Sequence, residues 1–152
     1  TLHTSNAAGA LPRLIDLGAE TFLLSSSINA IVGQRIVRRL CQTCKSAYPP
    51  PPQLLDMMKK ELGALFPQGE AKFYKAVGCS ECDNSGYLGR VGVFEVLPVT
   101  PKIAEMILKR TDSPSLEREA IAEGMITMKQ DGYIKVLRGV TTVEEVLRVA
   151  QE

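Results

Sequence analysis

The 152-residue sequence carries no excess of charge, no long apolar run, no phosphate-binding glycine loop and only one histidine. Lys plus Arg number 18 against 17 for Asp plus Glu, a formal charge of +1, so no whole-chain electrostatic footprint argues for a nucleic-acid or anionic-membrane partner. No apolar stretch approaches the roughly 18 residues needed to cross a bilayer, and the N-terminus lacks the basic and apolar regions of a signal peptide. The chain therefore reads as cytosolic. No G-x-x-x-x-G-K-[ST] pattern occurs, which removes the backbone cradle and the lysine that hold β- and γ-phosphates. Nor is there an initiating methionine: the chain opens on "TLHTSNAAGALPRLIDLG", which looks like the end of a strand and is expected to be the edge of an excised piece.

What is present is globular in character, with 45% hydrophobic and 23% charged residues, enough apolar material for a real core. Near-helical spacing of Leu11, Leu14, Ile15 and Leu17, after Ser5 or Asn6 as a cap and before Gly18 as a stop, predicts a helix over 7–17. Phe22, Leu23, Ile28 and Ile31 continue a helix-like stripe, and "QRIVRRL" then reads as a strand with Ile36, Arg38 and Leu40 on one face. "YPPPPQ" interrupts regular structure. A Pro start and a Gly stop bracket Leu54, Leu55, Met58 and Leu62 in a helix over "PQLLDMMKKELG". "FYKAVG" and "YLGRVGVFEVLPV" predict two short strands. From Pro101 onward four helical segments follow, with Ser113 expected to cap the second and Thr141 or Thr142 with Glu144 or Glu145 resembling a capping box before the last. Their apolar positions are expected to form a small bundle.

All four cysteines lie in two C-x-x-C motifs, Cys41 with Cys44 and Cys79 with Cys82. Such a motif presents two thiolates on one tight turn, and two of them complete the tetrahedral shell that Zn2+ prefers. Gly78 and Gly86 suit the positive φ that knuckle turns demand. Buried structural cysteines and a thioredoxin-type redox pair are the other readings; a redox motif sits alone at the start of a helix, and paired motifs in a reducing compartment favour metal. Four sulfurs leave no open coordination position, so the expected role is structural. Arg35, Arg38 and Arg39 beside the first pair read as a solvated strand edge or a subunit or domain contact. Arg90 and Glu95 read as anchors of the metal module, with contact between Arg90 and a neighbouring nucleotide as the alternative.

Five segments in order, "TLHTSNAAGALPRLIDLG", "VGQRIVRRLC", the paired cysteine motifs, "GYLGRVGVFEVL" and "DGYIKVLRGVTTVEEVLRV", resemble the C-terminal part of the type II secretion and type IV pilus assembly ATPases across essentially the whole chain. The resemblance implies an α/β fragment in three parts: 1–40 as the C-terminal edge of a RecA-like ATPase core, 41–98 as a tetracysteine zinc module, and 99–152 as a helical subdomain. It further implies that the intact protein is a homohexameric, cytoplasmic motor lying against the inner membrane. There ATP with Mg2+ would drive pseudopilus or pilus assembly, with an inner-membrane platform protein as partner and no nucleic acid.

In that family "TLHT" is the histidine box, so His3 would sense the γ-phosphate with Thr1 and Thr4 as polar neighbours, a task suited to an imidazole donor. Ser5 and Asn6 depart from the family pattern. Without a P-loop this chain is expected not to hydrolyse ATP alone. The reading from a different class is a zinc-ribbon structural or nucleic-acid-binding module, opposed by the balanced charge and by arginines without interleaved aromatics.

Overall fold

A computed structural model describes Leu2 and residues 4–150. Helix α1 (Ala10–Asp16) and helix α2 (Thr21–Ser27) lead into strand β1 (Ala30–Leu40); strand β2 (Ser46–Tyr48), helix α3 (Pro52–Leu62), strand β3 (Phe73–Lys75) and strand β4 (Tyr87–Pro98) follow. Helices α4 (Pro101–Leu108), α5 (Ser113–Ala122), α6 (Met128–Leu137) and α7 (Val143–Ala150) complete the chain. β1 pairs with β4, and β2 pairs antiparallel with β3, with Ala47 opposite Tyr74. None of the described helices is long and apolar enough to cross a membrane.

Two compact units result, one from residues 1–34 and 94–128, the other from residues 35–93 and 129–152. The core of the first gathers Leu11, Leu24, Leu97, Ile103, Ile107 and Leu116, with Ala7 and Ala8 from the turn before α1. The second holds one cluster around Met58, Phe73, Tyr133, Val136 and Val146, and a smaller one of Val37, Val93 and Val149. Helices α4 and α5 thus serve the first unit, while α6 beyond Met128 and all of α7 serve the second.

Local signals set several boundaries. Asn6 Oδ1 accepts the Gly9 N–H at 2.9 Å, closing a turn that delays α1 to Ala10, and Gly18 at φ 92° ends it. Thr100 caps α4 by accepting the Ile103 N–H, with Pro101 in the first turn. Asp112, not Ser113, caps α5: its carboxylate accepts the Ser115 N–H at 3.1 Å and displaces the expected cap by one residue. At α7, Thr142 Oγ1 accepts the Glu145 N–H at a long 3.5 Å, but the Glu145 carboxylate is engaged elsewhere, so only half of the capping box forms.

The stripe of Phe22, Leu23, Ile28 and Ile31 does not form one helix. α2 ends at Ser27, and the chain turns extended to pair with β4; the Val99 N–H donates to the Asn29 carbonyl at 2.8 Å. Within β1 the buried residues are Val37 and Leu40, spaced by three, while Ile36 and Arg38 face solvent. Strand β2, three residues long, had no periodicity to announce it.

Candidate functional site

The two C-x-x-C motifs sit on different local scaffolds in the second unit. Cys41 follows β1 directly, and its N–H donates to the Gly86 carbonyl at 3.0 Å. Cys79 precedes a single 3₁₀ turn over Ser80–Cys82, after which Asp83 and Asn84 take left-handed φ values of 49° and 58°. Gly78 and Gly86 have φ of 113° and 74°. A Cβ at Gly78 would lie 2.6 Å from the Asn84 carbonyl oxygen, and one at Gly86 2.5 Å from the Ala76 Cβ, so both positions require glycine on two counts.

This folding brings all four Sγ atoms within 4.8 Å of one another. Cys41 lies 3.8 Å from Cys79, Cys44 lies 3.8 Å from Cys82, and Cys79 lies 3.7 Å from Cys82. Ligands about 2.3 Å from a tetrahedral zinc ion would be separated by about 3.8 Å. The distances are far too long for disulfides, and all four cysteines are free. The donor set therefore fits one tetrahedral thiophilic cation.

Backbone amides prepare the sulfurs for negative charge. Gly78 N–H donates to Cys44 Sγ at 3.3 Å, and Cys79 N–H and Gly86 N–H donate to Cys82 Sγ at 3.3 and 3.2 Å. At Cys82 desolvation, which raises the thiol, is outweighed by the donors from Cys79 and Gly86, bringing it down to about 7. At Cys79 desolvation dominates, reinforced by the hydrogen bond to Cys82, and pushes the thiol up to about 12.

Side chains beyond the sulfurs tie the knuckles together. Thr43 Oγ1 donates to Glu81 at 2.5 Å, bridging one motif to the other. Lys45 Nζ donates to the Gly139 carbonyl at 2.9 Å and lies 4.7 Å from the centroid of the Tyr74 ring, and the Leu40 N–H donates to the Val140 carbonyl. Next to Cys41, Arg38 donates from its backbone N–H and from its guanidinium, each at 2.8 Å, to the buried Glu145 carboxylate. Arg148 holds the same carboxylate at 3.0 Å, and Arg38 also covers the Tyr87 ring at 4.1 Å. Arg38 is thus a half-exposed strut from β1 to α7. Nothing in its own neighbourhood in sequence pointed to a partner 107 residues away.

Other predicted residues fall elsewhere. Thr1 and His3 lie outside the described residues; Thr4 is half-buried at the start of the turn that leads to α1. Arg90 is exposed on β4. Glu95 does not anchor the cysteine cluster: it belongs to the first unit, 3% exposed, where it accepts the N–H groups of Ala7 and Met128. The alternation of β4 sends Glu95 inward between Val93 and Leu97, and this inward phase was the available signal.

A family model described as Type II/IV secretion system protein matches residues 1–148. The chain is similar over its whole length to type II secretion system protein E of Pseudomonas aeruginosa, at 41% identity, and covers 29% of that protein. It is 39% identical over its whole length to the type II secretion system ATPase E of Vibrio cholerae, again covering 29%. The type IV pilus assembly ATPase PilB of Pseudomonas aeruginosa is 38% identical, with 100% of this chain and 26% of that protein covered. The chain therefore spans less than a third of the length of these relatives, and with its full-length match and its tetracysteine cluster it belongs to the type II/IV secretion system protein family.

Proposed function

We propose that this chain is the C-terminal part of a hexameric motor that couples ATP hydrolysis to pseudopilus or pilus assembly, working in the cytoplasm against the inner membrane. The observation that carries this reading is the similarity, across the whole chain, to a type II secretion system protein E, a type II secretion system ATPase E and a type IV pilus assembly ATPase. Residues 1–40 would continue a RecA-like core, 41–98 insert the metal module and 99–152 complete it with helices. His3 senses the γ-phosphate, with Thr1 and Thr4 beside it, and the Mg2+ and phosphate cradle come from a P-loop that these residues do not include. The cation is Zn2+, held by Cys41, Cys44, Cys79 and Cys82 in a closed structural site. Because that site leaves no open position, its contribution is to shape a surface, and the surface it shapes faces the inner-membrane platform protein.

The test combines elemental analysis with nucleotide turnover. The chain is expected to bind one zinc and to hydrolyse no ATP by itself; a folded metal-free protein, or turnover by the isolated chain, would refute the reading. In the full-length motor Cys79→Ser is expected to impair assembly or folding more than ATP binding, and unchanged assembly and stability would remove the structural role from zinc.

A further inference from the structure

Glu95 is an expensive choice for the interior of β4. At 3% exposure its carboxylate is satisfied by the backbone N–H of Ala7 on one oxygen and by the backbone N–H of Met128, at 3.2 Å, on the other. An apolar side chain of similar volume would pack there at lower cost, since buried ionisable groups tend to be neutral or unfavourable for stability. What the carboxylate supplies, and an apolar group cannot, is a two-point grip on the backbone. Gly33 makes the grip possible: a Cβ at that position would lie 2.8 Å from Glu95 Cγ and 3.1 Å from its Oε1.

The gripped peptide is the one that follows the histidine motif. Ala7 comes four residues after His3 and one after Asn6, whose side chain closes the turn onto Gly9. Ala7 and Ala8 are both fully buried, so this turn is held from inside the core of the first unit. The second grip, at Met128, is on the first residue of α6, where the chain passes to residues of the second unit.

Resting on the reading of His3 given above, we propose that Glu95 is a positioning residue: by fixing Ala7, it sets where the histidine motif presents His3 to nucleotide. Misplacement of a catalytic or sensing group by about 1 Å can cost up to about 100-fold in turnover while leaving ground-state binding intact. Glu95→Gln keeps the shape but replaces one accepting oxygen with an amide NH2 that cannot accept, so one of the two grips is lost.

The experiment uses the full-length ATPase with His3→Ala, Glu95→Gln, Gly33→Ala and the His3→Ala/Glu95→Gln pair. It measures kcat and KM for ATP together with amide exchange in peptides containing Ala7 and Met128. Glu95→Gln is expected to accelerate exchange at Ala7 or Met128 and to lower kcat about 10- to 100-fold with KM changed less than about 2-fold. The double variant should be no slower than His3→Ala alone, because the two residues act through one another. Gly33→Ala, whose Cβ presses on Glu95 and, at 3.1 Å, on the Met128 Cε, displaces the carboxylate without altering it; it should reproduce the loss and decides the matter if Glu95→Gln does not fold. Full turnover in Glu95→Gln or Gly33→Ala beside an impaired His3→Ala enzyme, or a double variant slowed by the product of the single effects, overturns the positioning role. An unimpaired His3→Ala enzyme instead refutes the histidine reading beneath it.

Discussion

Among the described residues each compact unit buries one glutamate, and the two are held in different ways. Glu95, in the first unit, accepts from the backbone N–H groups of Ala7 and Met128. Glu145, in the second and 2% exposed, meets the guanidinium groups of Arg38 and Arg148 as well as the Arg38 backbone N–H. The surroundings differ in the same sense. The first unit is an aliphatic core of two helix pairs and one strand pair segment, whereas the second divides its apolar residues between two clusters and adds four sulfurs. A unit held by apolar burial tolerates a carboxylate that orients backbone; a unit that gathers four sulfurs and an ion triad has a stability that depends on charge state.

Metal removal should show the largest effect and the sharpest contrast. If the proposed zinc occupies the cluster, chelation leaves four converging sulfurs without their cation, and the second unit should lose amide protection around Cys41 and Gly86. Amides of α4, in the aliphatic core around Ile103 and Ile107, should keep theirs. Joint loss of protection in both units would show one cooperative body and end the comparison. Retention in both would mean that the cysteines contribute no folding energy.

Glu145→Gln is the next step down. Its carboxyl is held at about 2, against an ordinary value of 4.5, by hydrogen bonds from Arg38 and Arg148 that outweigh the desolvation opposing them. A folded pKa below the unfolded one gives stability that is present above about pH 4.5 and lost as pH falls towards 2. Both arginines are about half exposed, so solvent screens the pair and the expected cost near neutral pH is about 2 kcal/mol, not the full value of a sealed ion pair. Denaturant melts of wild type and variant, compared at pH 7 and pH 3, should differ most at pH 7 and clearly less at pH 3, with convergence only as pH falls below about 2. A constant difference would assign the effect to packing.

Much of this was legible from local sequence. The paired cysteines, the glycines beside them, and Pro52 and Gly63 around α3 all act through their own backbone, so spacing and residue type suffice. Non-local choices were not legible. The start of β1 was hidden because Ile28 and Ile31 recur at helical spacing, and only pairing with β4 makes that stretch extended. Met58 is core while its neighbour Met57 is 39% exposed, as one helix face dictates. The four C-terminal helices looked alike in sequence, yet α4 and α5 feed one core and α7 the other. Arg38 and Glu95 were visible as charged residues on strands, but their partners, 107 and 88 residues distant, are decided by the tertiary fold.

The smallest effect tests whether the triad around Glu145 is one unit or a pair with an accessory. Arg148 lies three residues from Glu145 on α7, is 52% exposed, and contributes a side-chain contact alone. Arg38 contributes a backbone donor that no side-chain substitution removes. Arg148→Met keeps the apolar stem and discards the charge, leaving the carboxylate both Arg38 donors. The expected loss is therefore that of an exposed helix pair, below about 1 kcal/mol, with a small upward move of the acid transition. A loss as large as that of Glu145→Gln would mean that the two arginines hold the carboxylate jointly. The charge dependence of the second unit would then rest on α7 as much as on β1.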